Sequence, residues 1–214
     1  MPDLQKVSNP SLPLPGKQYD SQYQDQLNNV LRLYFNRLGA SFNGLLDPAY
    51  GGEALYFPHA AFHSTQTQTV SAANTPTLIT FNNTDFASGI RYVAGDGLHF
   101  DTAGIFNLAF SIQVTNYDTQ AHDVYIWIRY NGSDYPYSAS AATVSGTHGG
   151  IAGKNIVAAN YFGQSAAGGY VELWWAADST QVKLETLAPT TSPFAMPGSP
   201  SVVTTISFVS NAQD

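Results

Sequence analysis

Residues 105–115 read IFNLAFSIQVT. Phe106, Leu108, Phe110, Ile112 and Val114 fall at every second position, which predicts a half-buried strand with Asn107, Ser111 and Gln113 turned outward. The run DVYIWIRYNG at 123–132 alternates in the same way, with Val124, Ile126, Ile128 and Tyr130 on one face. Its other face carries Tyr125, Trp127 and Arg129, where an ordinary strand would present small polar groups. GYVELWWA, starting at Gly169, repeats the feature: Val171, Leu173 and Trp175 alternate with Tyr170, Glu172 and Trp174. Two strands loaded with aromatics on both faces predict a sheet covered on both sides. A partner sheet covers the inner side, and a second copy of the chain is the expected outer cover.

Further short strand patterns lie at 65–70, 78–81, 89–93, 97–100, 135–144, 156–162, 181–187 and 201–209. Glycine, asparagine and aspartate punctuate them, as at Gly95-Asp96-Gly97 and Asn131-Gly132. Asp85, Asp96, Asp118, Asp134 and Asp178 read as turn residues, each beside Asn, Gly, Ser or Thr. Some ten strands at short spacing predict an all-β fold, an antiparallel β-sandwich over 53–214.

Ahead of the strands the period changes. In residues 20–46, Tyr23, Leu27, Val30, Leu31, Tyr34, Leu38 and Leu45 recur at threes and fours, the spacing of one α-helix. Ser21 with Gln24 three residues on matches a capping box. Leu27, Leu31, Tyr34 and Leu38 fall on an alternating 4-3 seam. The seam fits either a helix packed on its own domain or a threefold bundle. Asp47 to Gly52 ends this region with turn chemistry. Residues 1–19 form a third region, in which Pro10, Pro13 and Pro15 favour extended backbone. It reads as a loose tail or as an arm that docks on a partner through Leu12, Leu14 and Tyr19.

Composition narrows the function. The chain has 214 residues, 43% hydrophobic but only 11% charged, so its surface is built mainly from uncharged polar residues. Net charge is −7, with eight unclustered Lys and Arg, which offers no footprint for nucleic acid or an anionic membrane. No segment has the length and apolarity of a membrane span, and the N-terminus has no signal-peptide pattern. The absence of cysteine excludes thiol catalysis and thiolate metal sites, and fits assembly in a reducing cytoplasm.

Candidate chemistry is sparse. His59 and His63 share a strand face, but no acidic third ligand follows at a usual spacing, so no metal or cofactor is expected. His148-Gly149-Gly150 is like an esterase oxyanion loop, yet no Gly-x-Ser-x-Gly elbow accompanies it. No carboxylate pair stands out for glycoside hydrolysis. No catalytic residue is assigned, and the expectation is a protein without enzyme activity.

The ordered runs HFDTAGIFNLAFSIQVTN, VYIWIRYNGSDY, AAGGYVELWWA and SFVS resemble the jelly roll of the tumour necrosis factor superfamily and of complement-type globular heads. The likeness covers about 97–210. Here Gly169-Tyr170 replaces the family's Gly-Asp, and Ser210 stands where Gly is usual. The whole chain resembles small virion proteins of tailed bacteriophages: a Pro-rich arm, Tyr19-Asp20, a helix with LYFNRL at 33–38, then a jelly roll with DVYIWIRYNG and HGGIAG. That resemblance implies a homotrimer located on the virion, without enzyme activity. Leu27, Leu31, Tyr34, Leu38, Tyr125, Trp127 and Trp174 are the expected trimer contacts. Leu12, Leu14 and Tyr19 are the expected docking residues on the major capsid protein or another virion protein. One short anchor with one domain favours a capsid decoration (cement) protein. The alternative is a tail fibre, or a receptor- or glycan-binding module of the tail.

Overall fold

In the computed structural model, residues 9–14, 18, 20–46 and 57–211 are described, with side chains at 44–46 left aside. The chain divides into two compact units, Met1–Tyr56 and Phe57–Asp214.

The first unit is built on α1 (Ser21–Leu46), 26 residues and roughly 39 Å long. Its cap differs from the expected one. Asp20, not Ser21, takes the N-cap position: its Oδ1 accepts from the Gln22 N–H at 2.9 Å, and its carbonyl accepts from the Gln24 N–H at 3.1 Å. A carboxylate there satisfies an orphan donor and also meets the positive end of the helix dipole. The helix runs on through Gly39, at a cost of about 1 kcal/mol against alanine. Arm residues Asn9, Pro10 and Ser11 line a groove of about 270 Å³ with Val30, Leu33, Tyr34 and Arg37.

The second unit is a sandwich of two antiparallel sheets. One contains β1 (His59–Ser64), β2 (Gln68–Thr69), β4 (Asn83–Ser88), β7 (Gly104–Asn116), β11 (Gly153–Ser165), β13 (Val182–Leu184) and β14 (Val202–Ser210). Its path is β2-β13-β7-β14-β1-β4, and β11 pairs with β7 along its full length. The other contains β3 (Thr77–Leu78), β5 (Ile90–Val93), β6 (Gly97–Phe100), β8 (His122–Tyr130), β9 (Ser133–Asp134), β10 (Ser140–Val144) and β12 (Tyr170–Ala177). Its path is β10-β8-β12-β6-β5, with β3 on β12 and β9 on β8. The chain crosses repeatedly between sheets, as from β6 to β7 to β8, which is jelly-roll wiring.

The period-2 reading holds residue by residue. Phe106, Leu108, Phe110, Ile112 and Val114 are buried, and Asn107, Ser111 and Gln113 lie on the opposite face of β7. They meet Val124, Ile126 and Ile128 of β8 and Leu173 and Trp175 of β12 in one apolar core. Four expected strands are shorter than their patterns: only Gln68–Thr69 pairs in 65–70, Thr77–Leu78 near 78–81, Ser140–Val144 in 135–144 and Val182–Leu184 in 181–187. β4 and the two-residue β9 lie outside every expected strand. β4 covers NTDFAS, where turn-forming residues masked it.

Candidate functional surfaces

The aromatic face of the second sheet is built by a hairpin. Asn131 and Gly132 carry φ of 49° and 76°, the left-handed pair that a tight two-residue turn requires. This turn folds β9 back on β8, so that Asp134 pairs with Arg129. The Asp134 carboxylate then reaches two groups. Its Oδ1 accepts from Trp127 Nε1–H at 2.9 Å and from Arg129 Nε–H at 2.6 Å. Arg129 beside it, and then the Trp127 N–H, hold the Asp134 carboxyl below its ordinary range.

Across the sheet, β12 pairs with β8 so that Trp174 faces Trp127, Glu172 faces Arg129 and Ala176 faces Tyr125. The Arg129 guanidinium lies 4.3 Å from the Trp174 ring centroid, a cation–π contact. Tyr125, Trp127 and Trp174, expected together on one face, are therefore brought together. The two tryptophans are half-buried, and the polar cover over them comes from the chain itself, through Arg129 and Asp134. Tyr125 remains 42% exposed. The sequence reading places Arg129 on this face and Asp134 in a turn, but not the pairing of the two. The signal was present in Asn131-Gly132, because a two-residue hairpin sets 129 opposite 134.

A second surface lies on the first sheet. β11 is a 13-residue strand whose only strand partner among the described residues is β7. Its outward residues Lys154, Ile156, Ala158, Asn160, Phe162 and Gln164 face Thr115, Gln113, Ser111, Ala109, Asn107 and Ile105, and Lys154 at the start of the strand carries the one charge among them. Ile156 is 59% and Phe162 62% exposed. Beyond Lys154 the edge strand presents an uncharged, partly apolar face from Ile156 to Gln164, which natural sheets ordinarily cover or break up with charge.

In the first unit, Leu27, Leu31, Tyr34 and Leu38 share one half-buried stripe of α1. Leu33, Phe35 and Phe42 are exposed outside it. Of the expected docking residues, Leu12 is half exposed and Leu14 is 91% exposed, while Tyr19 lies outside the described residues.

The histidines are engaged individually. His122 stands between two carboxylates, with Nε2 at 3.2 Å from Asp118 and Nδ1 at 2.9 Å from Asp178. Burial alone would lower its pKa, but the bonds and charges of Asp118 and Asp178 outweigh it and the net shift is upward. His59 Nδ1 meets the Phe57 carbonyl at 2.7 Å, and His63 Nδ1 meets Asp85. No group of three or more His, Asp or Glu side chains placed to hold a metal ion occurs among the described residues. No helix among them is long and apolar enough to cross a membrane.

No family model matches the chain, and no curated protein matches it. Among solved structures it is similar to the Eiger TNF of S. frugiperda, with a TM-score of 0.48 and 13% identity over 74% of this chain and 96% of that chain. The jelly-roll assignment stands on the strand pairing described above.

Proposed function

We propose that this protein is a non-enzymatic structural component of a tailed-bacteriophage virion, a homotrimeric decoration protein of the capsid. The observation that carries the self-assembly is the outer face of β11 and β7, on which Lys154 at the start of β11 is the one charge. Water-exposed Ile156 and Phe162 on a long unpaired edge gain free energy when another protein surface covers them, at about 25 cal/mol per Å² buried. The half-buried stripe of α1 supports a second contact between copies: Leu27, Leu31, Tyr34 and Leu38 recur at bundle spacing, and none of them is fully buried. The exposed Leu12 and Leu14 of the arm suit docking on the shell. The particle type rests on the resemblance of arm, helix and jelly roll to small phage virion proteins.

Two measurements test this. Sedimentation or native mass spectrometry of the full chain gives a trimer, and a clean monomer at micromolar concentration rejects it. Cryo-EM of particles carrying the protein places it at threefold or quasi-threefold points of the shell. Density confined to the tail replaces decoration with a fibre role.

A further inference from the structure

β4 contains one residue more than β1 can pair. Ala61 faces Phe86 and Phe62 faces Thr84, which leaves Asp85 as the extra residue of a bulge. A bulge re-aims the side chain it frees. The Asp85 carboxylate lies against His63 on β1, with Oδ1 at 3.0 Å and Oδ2 at 3.1 Å from Nδ1. A carboxylate on Nδ1 selects the tautomer with its proton there and fixes the ring plane. Nε2, which has no partner among the described residues, is left as an acceptor.

The pair stands in a cleft of about 660 Å³, within the usual range of roughly 300–1,000 Å³ for small-molecule sites. The far wall is the arm at 186–200, closed by paired bridges at Leu187–Ser199 and Thr190–Met196. Two hydroxyls in the cleft have protons to give. Thr65 Oγ1 already accepts from the Asn82 and Asn83 amides at 2.9 and 3.3 Å, and Ser199 Oγ accepts from Gln113 Nε2 at 3.2 Å. Leu187, Pro189 and Pro200 supply apolar wall, and His63 and Asp85 are the only ionisable groups among the residues lining the cleft.

That inventory selects a ligand class. No lysine or arginine lines the cleft to hold a phosphate, sulfate or carboxylate. Acceptors at Asp85 and His63, donors at Thr65 and Ser199, and a proline–leucine wall match a ring that carries vicinal hydroxyls on its edge and C–H groups on its face. We infer that this cleft is a binding site for a neutral saccharide. The site is separate from the Trp127–Trp174 face and does not depend on the decoration reading. Asp85 accepts from ligand hydroxyls and orients His63, and His63 Nε2 accepts a further hydroxyl proton.

The test is titration of the full chain, in its solution assembly, with glucose, galactose, rhamnose and N-acetylglucosamine, followed by NMR of the histidine ring and backbone amides. At least one sugar gives saturable shifts at His63, Thr65 and Ser199. Asp85→Asn and His63→Ala each weaken that binding about tenfold or more, as expected for loss of a charge-assisted or ring-nitrogen hydrogen bond. Ala188→Trp, which fills the cleft while removing no hydrogen bond, abolishes it and guards against misfolding of the first two variants. The inference is overturned if no sugar of the panel binds saturably, if the shifts map to Trp127 and Trp174 instead, or if folded Ala188→Trp binds as well as the native chain.

Discussion

Trp174 lies beneath the guanidinium of Arg129, 4.3 Å from ring centroid to Cζ, and the same arginine is tied to Asp134 of the returning hairpin strand. The carboxylate that holds Arg129 also holds the Trp127 indole N–H, so one side chain orders both tryptophans. Asp134 has a folded pKa below its ordinary 3.8, so its contribution is present above that value and is lost as pH falls through the folded value. Tryptophan emission of the native chain shifts below about pH 3.8, and in Asp134→Asn the emission is already shifted at neutral pH. Identical acid profiles in the two proteins would contradict this coupling.

His122 gives the opposite sign. Its folded pKa is raised above 6.5, so its pairing with Asp118 and Asp178 stabilises the fold fully below 6.5 and is lost as pH rises through the folded value. Asp118 is held below 3.8, first by His122 and then by the Gln120 and Thr119 N–H groups, so its share is lost only in strong acid. Thermal melts from pH 5.5 to 8.5 therefore fall in the native chain and flatten in His122→Gln, the range being chosen to span roughly the histidine region.

Trp175 is fully buried, and its indole N–H has no hydrogen-bond partner among the described residues. Trp175→Phe removes an unsatisfied donor along with some volume, and should cost about 1–2 kcal/mol. Trp175→Ala leaves a cavity and should cost about 3–5 kcal/mol. Urea denaturation measures both, and a Trp175→Phe cost as large as that expected for Trp175→Ala would mean that the indole N–H is satisfied in solution.

For assembly, Ile156→Lys and Phe162→Glu place charge on the outer face of β11 without touching the core. Both should convert the proposed trimer to folded monomers in sedimentation. Trp127→Glu serves as the comparison. If it alone dissociates the trimer, the contact lies on the aromatic face of β8 and β12 and not on β11.

Local sequence carried much of this structure. The inward residues of β7, β8 and β12 follow from alternation, because side chains on a strand point to opposite faces in turn. The α1 stripe follows from 3.6 residues per turn, and the β8–β9 hairpin from the backbone freedom of Asn131-Gly132. Tertiary pairing decided the rest. Trp127 meets Trp174 only because β8 and β12, far apart in the chain, pair in one register, and no local rule sets that register. β4 reads as turn chemistry until β1 offers it a ladder, and the bulge that turns Asp85 onto His63 arises from a mismatch of one residue between those two strands. The alternating pattern determined which side chains face the core. Only the folded sandwich could decide which outward side chains meet, because that depends on pairing between distant segments.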